Sequence, residues 1–170
     1  MWPNESERKG LKAWQASLKK LCGGRTMRPE TLHATLLFIG RVEQHRLEVL
    51  RLAAQEVNGD GFDLSFDVAR YWGHNHIAYA APSEVPQQLS HLVEALEHSL
   101  HKHRFQFDRR EYKPHVTLLR NAHWSDAPLT VMPAVRWKVC DFALVQSMSR
   151  GYRVLVRFPL KASGAIITPS

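Results

Sequence analysis

The segment His33-Ala34-Thr35-Leu36-Leu37 returns 82 positions later as His115-Val116-Thr117-Leu118-Leu119. The two copies lie about half a chain apart in a sequence of 170 residues. The chain has ten His, six Thr and twenty Leu. A random arrangement of the residues would contain roughly 0.005 copies of His-x-Thr-Leu-Leu, and the probability of two copies would be on the order of 10⁻⁵. The repeat is therefore a feature that the fold and the function have to explain.

Both copies are rich in apolar and β-branched residues, and we predict that they lie on strands over 31–39 and 114–119. Side chains alternate faces along a strand, so in each copy the histidine shares a face with the threonine two positions later. The residue between them then points into a core. If the two strands lie near each other, two imidazoles and two hydroxyls converge on one cleft.

Such a cleft suits phosphodiester chemistry. The unperturbed pKa of imidazole is about 6.5, so one histidine can be neutral and the other protonated at working pH. The neutral ring takes a proton from water, and the protonated ring gives one to the leaving oxygen. The hydroxyls of Thr35 and Thr117 can hydrogen-bond phosphate oxygens, and Arg120 can neutralise developing negative charge. The sequence thus favours His33 and His115 as a catalytic pair.

Two other interpretations of the histidines compete with this one. A single histidine on an apolar strand is more often a hydrogen-bonded core residue than a catalyst. Two histidines at the same position of two repeated segments are more often catalytic. A metal site would need further ligands, and no Cys, Asp or Glu converges with the pair, while hydroxyls are poor zinc ligands. The sequence therefore predicts neither a metal nor any other cofactor.

Helices and strands alternate along the rest of the chain. We predict helices over 4–22, 43–57 and 86–103, and further strands over 62–68, 76–81, 137–145 and 152–160. Turns at Gly73-His74-Asn75 and Ser149-Arg150-Gly151 would close two hairpins, which favours antiparallel pairing. The order of elements indicates the mixed α+β class.

Composition limits the function classes. Hydrophobic residues make up 44% and charged residues 23% of the chain, typical of one globular domain or two closely packed lobes. The two cysteines are far apart and no apolar run is long enough for a membrane span, so we expect a cytoplasmic protein without membrane contact. We also expect a monomer. The formal net charge of +7 favours a polyanionic partner, nucleic acid above all.

The doubled His-x-Thr resembles the signature of the 2H phosphoesterases. Its surroundings are similar to the RNA 2′,3′-cyclic phosphodiesterase branch, also called LigT-like or 2′–5′ RNA ligase. The segments that carry this similarity are Arg28-Pro29-Glu30-Thr31-Leu32 before the first copy, Phe38-Ile39-Gly40 after it, Tyr112-Lys113-Pro114 before the second, and Leu119-Arg120. The resemblance spans roughly residues 3–160 and includes the final strand.

The resemblance implies a single bilobal domain over 1–170, in which two antiparallel β-sheets line a central cleft and helices cover the outer faces. It implies metal-independent hydrolysis of RNA 2′,3′-cyclic phosphate to the 2′-phosphate, with His33 as proton donor and His115 as proton acceptor. Thr35, Thr117 and Arg120 would hold the phosphate. The same family can join RNA ends, tRNA halves among them, through a 2′–5′ bond.

One departure from the family concerns the N-terminus. Family members open with an apolar strand just before the segment that corresponds to Trp2-Pro3, and here that strand is missing. We expect that the assigned start lies too far downstream. A tail that is frayed over 162–170 is also expected.

Two further functions stay open on the sequence alone. One is a 2H phosphoesterase that acts on a small cyclic nucleotide or a 2′–5′ oligonucleotide, which the basic charge mildly disfavours. The other is a non-catalytic RNA-binding module, against which the intact motifs argue. In the leading interpretation, Trp72 and Tyr112 are the first candidates for stacking on a terminal base.

Overall fold

The computed structural model describes residues 1–124 and 132–162. Within these ranges the α-helices are α1 (Glu5–Cys22), α2 (Leu47–Gln55) and α3 (Gln87–Lys102), with 3₁₀ turns at Pro29–Thr31 and Gln44–Arg46. The strands are β1 (Arg25–Thr26), β2 (Phe62–Phe66), β3 (Val68–Trp72), β4 (Ile77–Ala81), β5 (Val116–Arg120), β6 (Val135–Val139), β7 (Asp141–Met148) and β8 (Gly151–Pro159). Residues 163–170 of the predicted tail lie outside the described residues.

The first helix begins and ends where the sequence predicts. The side chain of Asn4 accepts a hydrogen bond from the Glu7 N–H, and the Glu7 carboxylate accepts one from the Asn4 N–H, which is a capping box. Gly23 ends the helix with a positive φ of 62°. The second oxygen of the Glu7 carboxylate accepts from the Lys138 N–H at 2.9 Å, and Leu11, Trp14 and Leu18 on the inner face of the helix are buried. The helix is thereby tied to β6 and packs against β5.

The predicted antiparallel pairing is confirmed, but the strands form three hydrogen-bonded groups in the described ranges where two sheets were predicted. The largest has the order β1-β5-β4-β3, and the others are β2-β6 and β7-β8. The predicted strand 62–68 is divided at Asp67, whose carboxylate accepts hydrogen bonds from the N–H and hydroxyl of Ser83 at 2.7 and 2.6 Å. The predicted strand 137–145 likewise breaks at Cys140. Each break lets the chain pass from one sheet to another.

The prediction of a continuous strand over 31–39 is wrong. Pro29, with its fixed φ and no N–H, opens a 3₁₀ turn, and within the described residues only Ala34 of this segment forms a β-bridge. Ala34 donates to the Met1 carbonyl at 3.0 Å and accepts from the Met1 amino group at 2.8 Å. On its other side it faces Val116. The first copy of the motif therefore lies beside β5 as extended backbone, between Met1 and the sheet.

The hydrophobic core lies beneath the four-stranded sheet. Ala34, Ala78 and Val116 are fully buried there and pack in one cluster with the inner face of α1. A buried amide joins the strands at this level, because Nε2 of Gln15 donates to the carbonyl oxygens of Met27 and Leu118 at 2.8 and 3.0 Å. The Leu118 carbonyl also accepts from the Met27 N–H at 2.9 Å, so the Gln15 amide adds a second hydrogen bond there and links α1 to both neighbouring segments.

Among the described helices, none is both long enough and apolar enough to cross a bilayer.

Candidate active site

The two copies of the motif meet at a single antiparallel bridge between Ala34 and Val116. Residue numbers run in opposite directions across an antiparallel pair, so the histidine of each copy lies across from the threonine of the other. The bridging residues themselves are fully buried, while both histidines are partly exposed on the opposite face of the sheet. The predicted alternation of faces therefore holds, and the histidine and threonine positions of both copies converge on one surface.

Both imidazoles make the same backbone hydrogen bond. Nδ1 of His33 lies 2.7 Å from the carbonyl oxygen of Thr31, and Nδ1 of His115 lies 2.8 Å from that of Lys113. A carbonyl oxygen can only accept, so each Nδ1 carries the proton and donates it. Nε2 is therefore the nitrogen available for chemistry. It bears a lone pair when the ring is neutral and a proton when the ring is charged, so either histidine can serve as acid or as base.

Aromatic rings hold each imidazole in place. The ring of Trp2 stacks on His33 with centroids 4.8 Å apart and planes within 12°, and Tyr152 meets the same imidazole edge-on at 4.6 Å. At the other site, Trp72 meets His115 edge-on at 4.7 Å. Offset and edge-to-face pairs of this kind contribute about 0.5–1.5 kcal/mol beyond the area they bury. Both imidazoles are thus oriented by packing as well as by hydrogen bonding.

Sequence reasoning finds only one of these aromatic residues. Trp72 is predicted near the site, whereas Trp2 and Tyr152 stand out in the sequence only as parts of terminal segments. Tyr79, whose ring centroid lies 5.6 Å from that of His115, has no sequence signal at all. It lies opposite Thr117 in the β4–β5 pair, so only the strand register could have revealed it. No local pattern marks an aromatic residue that packs against a histidine far away in sequence.

The environment lowers the pKa of both histidines. Burial is the main cause for each, because it disfavours the charged ring, and the carbonyl hydrogen bond opposes it in part. The charge of His115 further lowers the pKa of His33, so the two rings are close enough to repel each other when both are protonated. This repulsion disfavours the state in which both rings are charged.

A bulge in β5 turns Arg120 toward the same surface. Leu118 is an extra residue opposite the step from Ala78 to Tyr79 in β4. Leu118 and Leu119 are consequently both fully buried, and the alternation of faces is reset beyond them. Arg120 is exposed on the face that carries Tyr79 and the histidines, whereas strict alternation would have directed its guanidinium into the core.

The remaining candidate residues differ in their surroundings. Thr35 is exposed and Thr117 is partly buried. Tyr112 packs against the main core with its hydroxyl buried, and that hydroxyl has no hydrogen-bond partner among the described residues. Burial raises the pKa of the Tyr112 hydroxyl. In the described ranges, no group of three or more His, Cys, Asp or Glu side chains is arranged to hold a metal ion.

Known proteins are similar to this chain in sequence and in fold. The model of the 2′-5′ RNA ligase superfamily matches residues 3–150. The RNA 2′,3′-cyclic phosphodiesterase of Escherichia coli (strain K12) is 30% identical over 153 residues, which cover 86% of each protein. The crystal structure of E. coli LigT complexed with 3′-AMP superimposes with a TM-score of 0.78, at 27% identity and 91% coverage of each chain. A crystal structure described as a phosphoesterase gives 0.82, at 25% identity and 95% coverage of each chain.

These similarities confirm the family resemblance and the α+β fold that the sequence predicted. The matched residues 3–150 include both copies of the His-x-Thr motif, the β5 bulge and Arg120. The chain belongs to the 2′-5′ RNA ligase superfamily.

Proposed function

We propose that the protein hydrolyses terminal 2′,3′-cyclic phosphates of RNA to 2′-phosphates by acid–base catalysis between His33 and His115. The observation that carries the proposal is the matched pair of imidazoles, each anchored through Nδ1 with Nε2 left for chemistry. The name of the E. coli relative, RNA 2′,3′-cyclic phosphodiesterase, supports the reaction. The 3′-AMP complex of E. coli LigT supports a ribonucleotide end as ligand.

In the proposed reaction His115 acts as the base and His33 as the acid. Nε2 of neutral His115 takes a proton from a water molecule as the water oxygen forms a bond to phosphorus. The bond from phosphorus to the 3′ oxygen breaks, and Nε2–H of protonated His33 gives its proton to that oxygen. The products are a 2′-phosphate and a 3′-hydroxyl. His115 then loses a proton to solvent and His33 gains one, which restores the starting state.

Three side chains would hold the phosphate during this step. The hydroxyls of Thr35 and Thr117 can donate to the two non-bridging oxygens, and the Arg120 guanidinium can neutralise the charge that develops on them. Hydrogen bonds to charged groups contribute about 1.5–3 kcal/mol each. The crosswise register supports this arrangement, because a phosphate placed between the two imidazoles would lie beside both hydroxyls.

The lowered pKa values of the two histidines are consistent with a site that binds an anionic substrate. In the free protein burial favours neutral imidazoles. A bound cyclic phosphate carries a negative charge, which stabilises a protonated ring and raises its pKa. Because two protonated rings would repel each other, only one of the two histidines gains a proton when the phosphate binds. Substrate binding would thus create the acid while leaving the base neutral.

The same proposal extends to organisation and setting. One chain carries both motifs, which supports a single bilobal domain that acts as a monomer. The net charge of +7 supports RNA as the polymer that is bound, with tRNA halves among the ends that could be used. The same proposal includes a cytoplasmic location. It also includes a 2′–5′ joining activity, which is the reverse-type reaction of the family.

The test is product analysis on a short RNA that ends in a 2′,3′-cyclic phosphate, incubated with purified protein in EDTA. A 2′-phosphate is the expected product. A 3′-phosphate would contradict the assignment of His33 as donor to the 3′ oxygen. Absence of reaction from folded protein would contradict the proposed activity. His115→Ala protein purified in parallel controls for contaminating nucleases, whose activity would be the same in both preparations.

A further inference from the structure

A groove outside the pair of histidines runs between β1 with its following 3₁₀ turn and the turn of the β7–β8 hairpin. We propose that this arginine groove binds the RNA strand next to its cyclic end and makes the enzyme prefer oligonucleotides over mononucleotides. The inference rests on the proposed function. The groove has a volume of about 530 Å³. Its main lining residues are Arg25, Thr26, Arg28, Met148, Arg150 and Tyr152.

The charge of the groove suits a phosphate chain. Among the residues that the structure describes, its lining includes the three arginines Arg25, Arg28 and Arg150 and no acidic residue. Glu30 pairs with Arg28 at 3.2 Å, but both side chains are more than half exposed, so water screens this ion pair. Arg25 and Arg150 are exposed. Arginine forks match phosphate oxygens in geometry, and each arginine that neutralises a phosphate releases counterions from the nucleic acid.

The groove opens directly onto the candidate active site. Tyr152, which lines the groove, is the residue whose ring meets His33 at 4.6 Å. At the level of β1, Arg25 lies opposite Arg120 in the antiparallel pair with β5. A strand whose terminal phosphate lies between the histidines can therefore continue past Tyr152 into the groove without crossing the sheet.

The walls of the groove are joined at one point. An Nη2 proton of Arg28 is donated to the carbonyl oxygen of Arg150 at 3.0 Å. The turn bends sharply there, because Gly151 has a positive φ of 113°, and a Cβ at this position would lie 3.2 Å from Nη2 of Arg28. Arg28 therefore holds the hairpin turn against the segment that leads into the first motif, and leaves Arg25 and Arg150 to meet a ligand.

The apolar surface of the groove favours a single strand. Met148 is 49% exposed and Tyr152 is 40% exposed, although both are large hydrophobic residues. Exposed aromatic and apolar surface beside positive charge is the usual platform for unpaired bases, which stack on it irrespective of sequence. A volume of this size is that of a small-molecule site, so it suits one or two unpaired nucleotides rather than a duplex.

The test compares kcat/KM on an oligoribonucleotide that ends in a 2′,3′-cyclic phosphate with kcat/KM on a mononucleoside 2′,3′-cyclic phosphate. For Arg25→Gln and Arg150→Gln, we expect the ratio of the two values to fall about tenfold, since each variant removes one charge-assisted hydrogen bond to a phosphate. The matched control is Arg153→Gln. Arg153 lies on the same hairpin and pairs with Gln146, one register position away from the Tyr152–Ser147 pair that lines the groove. Its ratio should stay at the wild-type value.

Two outcomes would overturn the proposal. The first is an unchanged ratio in both groove variants. The second is an equal loss on both substrates, which would indicate an effect on the fold or the chemistry instead of the strand.

A binding measurement separates this proposal from the proposed function. Fluorescence anisotropy with a labelled single-stranded RNA that ends in a 3′-phosphate needs no turnover. We expect the plot of the logarithm of the binding constant against the logarithm of the salt concentration to have a less negative slope in Arg25→Gln and Arg150→Gln. The slope should change by about 0.7 for each phosphate that loses its arginine partner. This expectation holds even if neither cyclic phosphate is hydrolysed. Equal slopes and affinities in wild type and both variants would rule out the groove as a strand-binding site.

Discussion

Ala34 and Val116, the central residues of the two motifs, face each other in an antiparallel bridge with both side chains fully buried. Because faces alternate on either side of this pair, the bridge directs both histidines and both threonines to the outer surface. A shift of one residue would bury the imidazoles and expose the bridging pair. The register at this bridge therefore decides whether the two histidines reach a common surface at all.

Removing either imidazole should stop the reaction without unfolding the protein. We expect His33→Ala and His115→Ala to lower kcat/KM by at least about 10²-fold, the lower limit for loss of a general acid or base. His91→Ala, an exposed histidine on α3, is the matched control and should stay at the wild-type rate. Near-wild-type activity in either site variant would disprove the two-histidine mechanism.

The tautomer of both histidines is predicted by their backbone partners. Nitrogen NMR of the ring should show Nδ1 protonated and Nε2 unprotonated in His33 and in His115 when the free protein is neutral at these sites. Detection of the opposite tautomer in either ring would mean that Nε2 is not the reactive nitrogen there.

The pH dependence should differ between kcat/KM and kcat. Burial lowers the pKa of both histidines in the free protein, so the optimum of kcat/KM should lie below the ordinary imidazole value of about 6.5. The bound phosphate anion stabilises the protonated ring and raises its pKa, so the optimum of kcat should lie at higher pH. Rate profiles on one substrate measure both. Coincident optima would contradict a substrate-induced rise in pKa.

The two hydroxyls should contribute by similar amounts. Thr35→Val and Thr117→Val keep the shape of the side chain and remove the donor, so we expect each to lower kcat/KM about tenfold or more, as for a hydrogen bond to a charged group. Serine at either position retains the hydroxyl and should recover most of the loss. If valine and serine variants are equally active, the hydroxyls do not contact the phosphate.

The buried hydroxyl of Tyr112 should destabilise the fold. It lacks a hydrogen-bond partner among the described residues, so Tyr112→Phe should raise the free energy of unfolding by about 1 kcal/mol in urea titration. Tyr71→Phe is the matched control. The Tyr71 hydroxyl donates to the Ala122 carbonyl at 2.8 Å and lies 2.9 Å from Nδ1 of His76, so its removal should lower stability by a similar amount. Loss of stability in Tyr112→Phe would indicate an unrecognised partner.

Local signals predicted a large part of the architecture. The capping box of Asn4 and Glu7 sets the start of α1, and the turn after Met148 closes the β7–β8 hairpin as expected. The turn after Trp72 also closes a hairpin, but the partner of β4 is Val68–Trp72 and not the predicted strand 62–68. These features depend on residues that are close in sequence, so composition and spacing reveal them. The strand break at Asp67 was missed because the apolar alternation continues through it from Phe66 to Val68, and the break at Cys140 was missed because apolar residues lie on both sides of it.

By itself the sequence determined the chemistry of the site, since two His-x-Thr copies in matching frames specify which groups share a face. Only the tertiary structure decided how those groups are held. The strand predicted around His33 is replaced by extended backbone between Met1 and Val116, and the bulge at Leu118 redirects Arg120 to the surface that carries the histidines. The reason is physical. Alternation is a property of one strand, whereas register, bulges and aromatic packing depend on partners that are distant in sequence and meet only when the chain has folded.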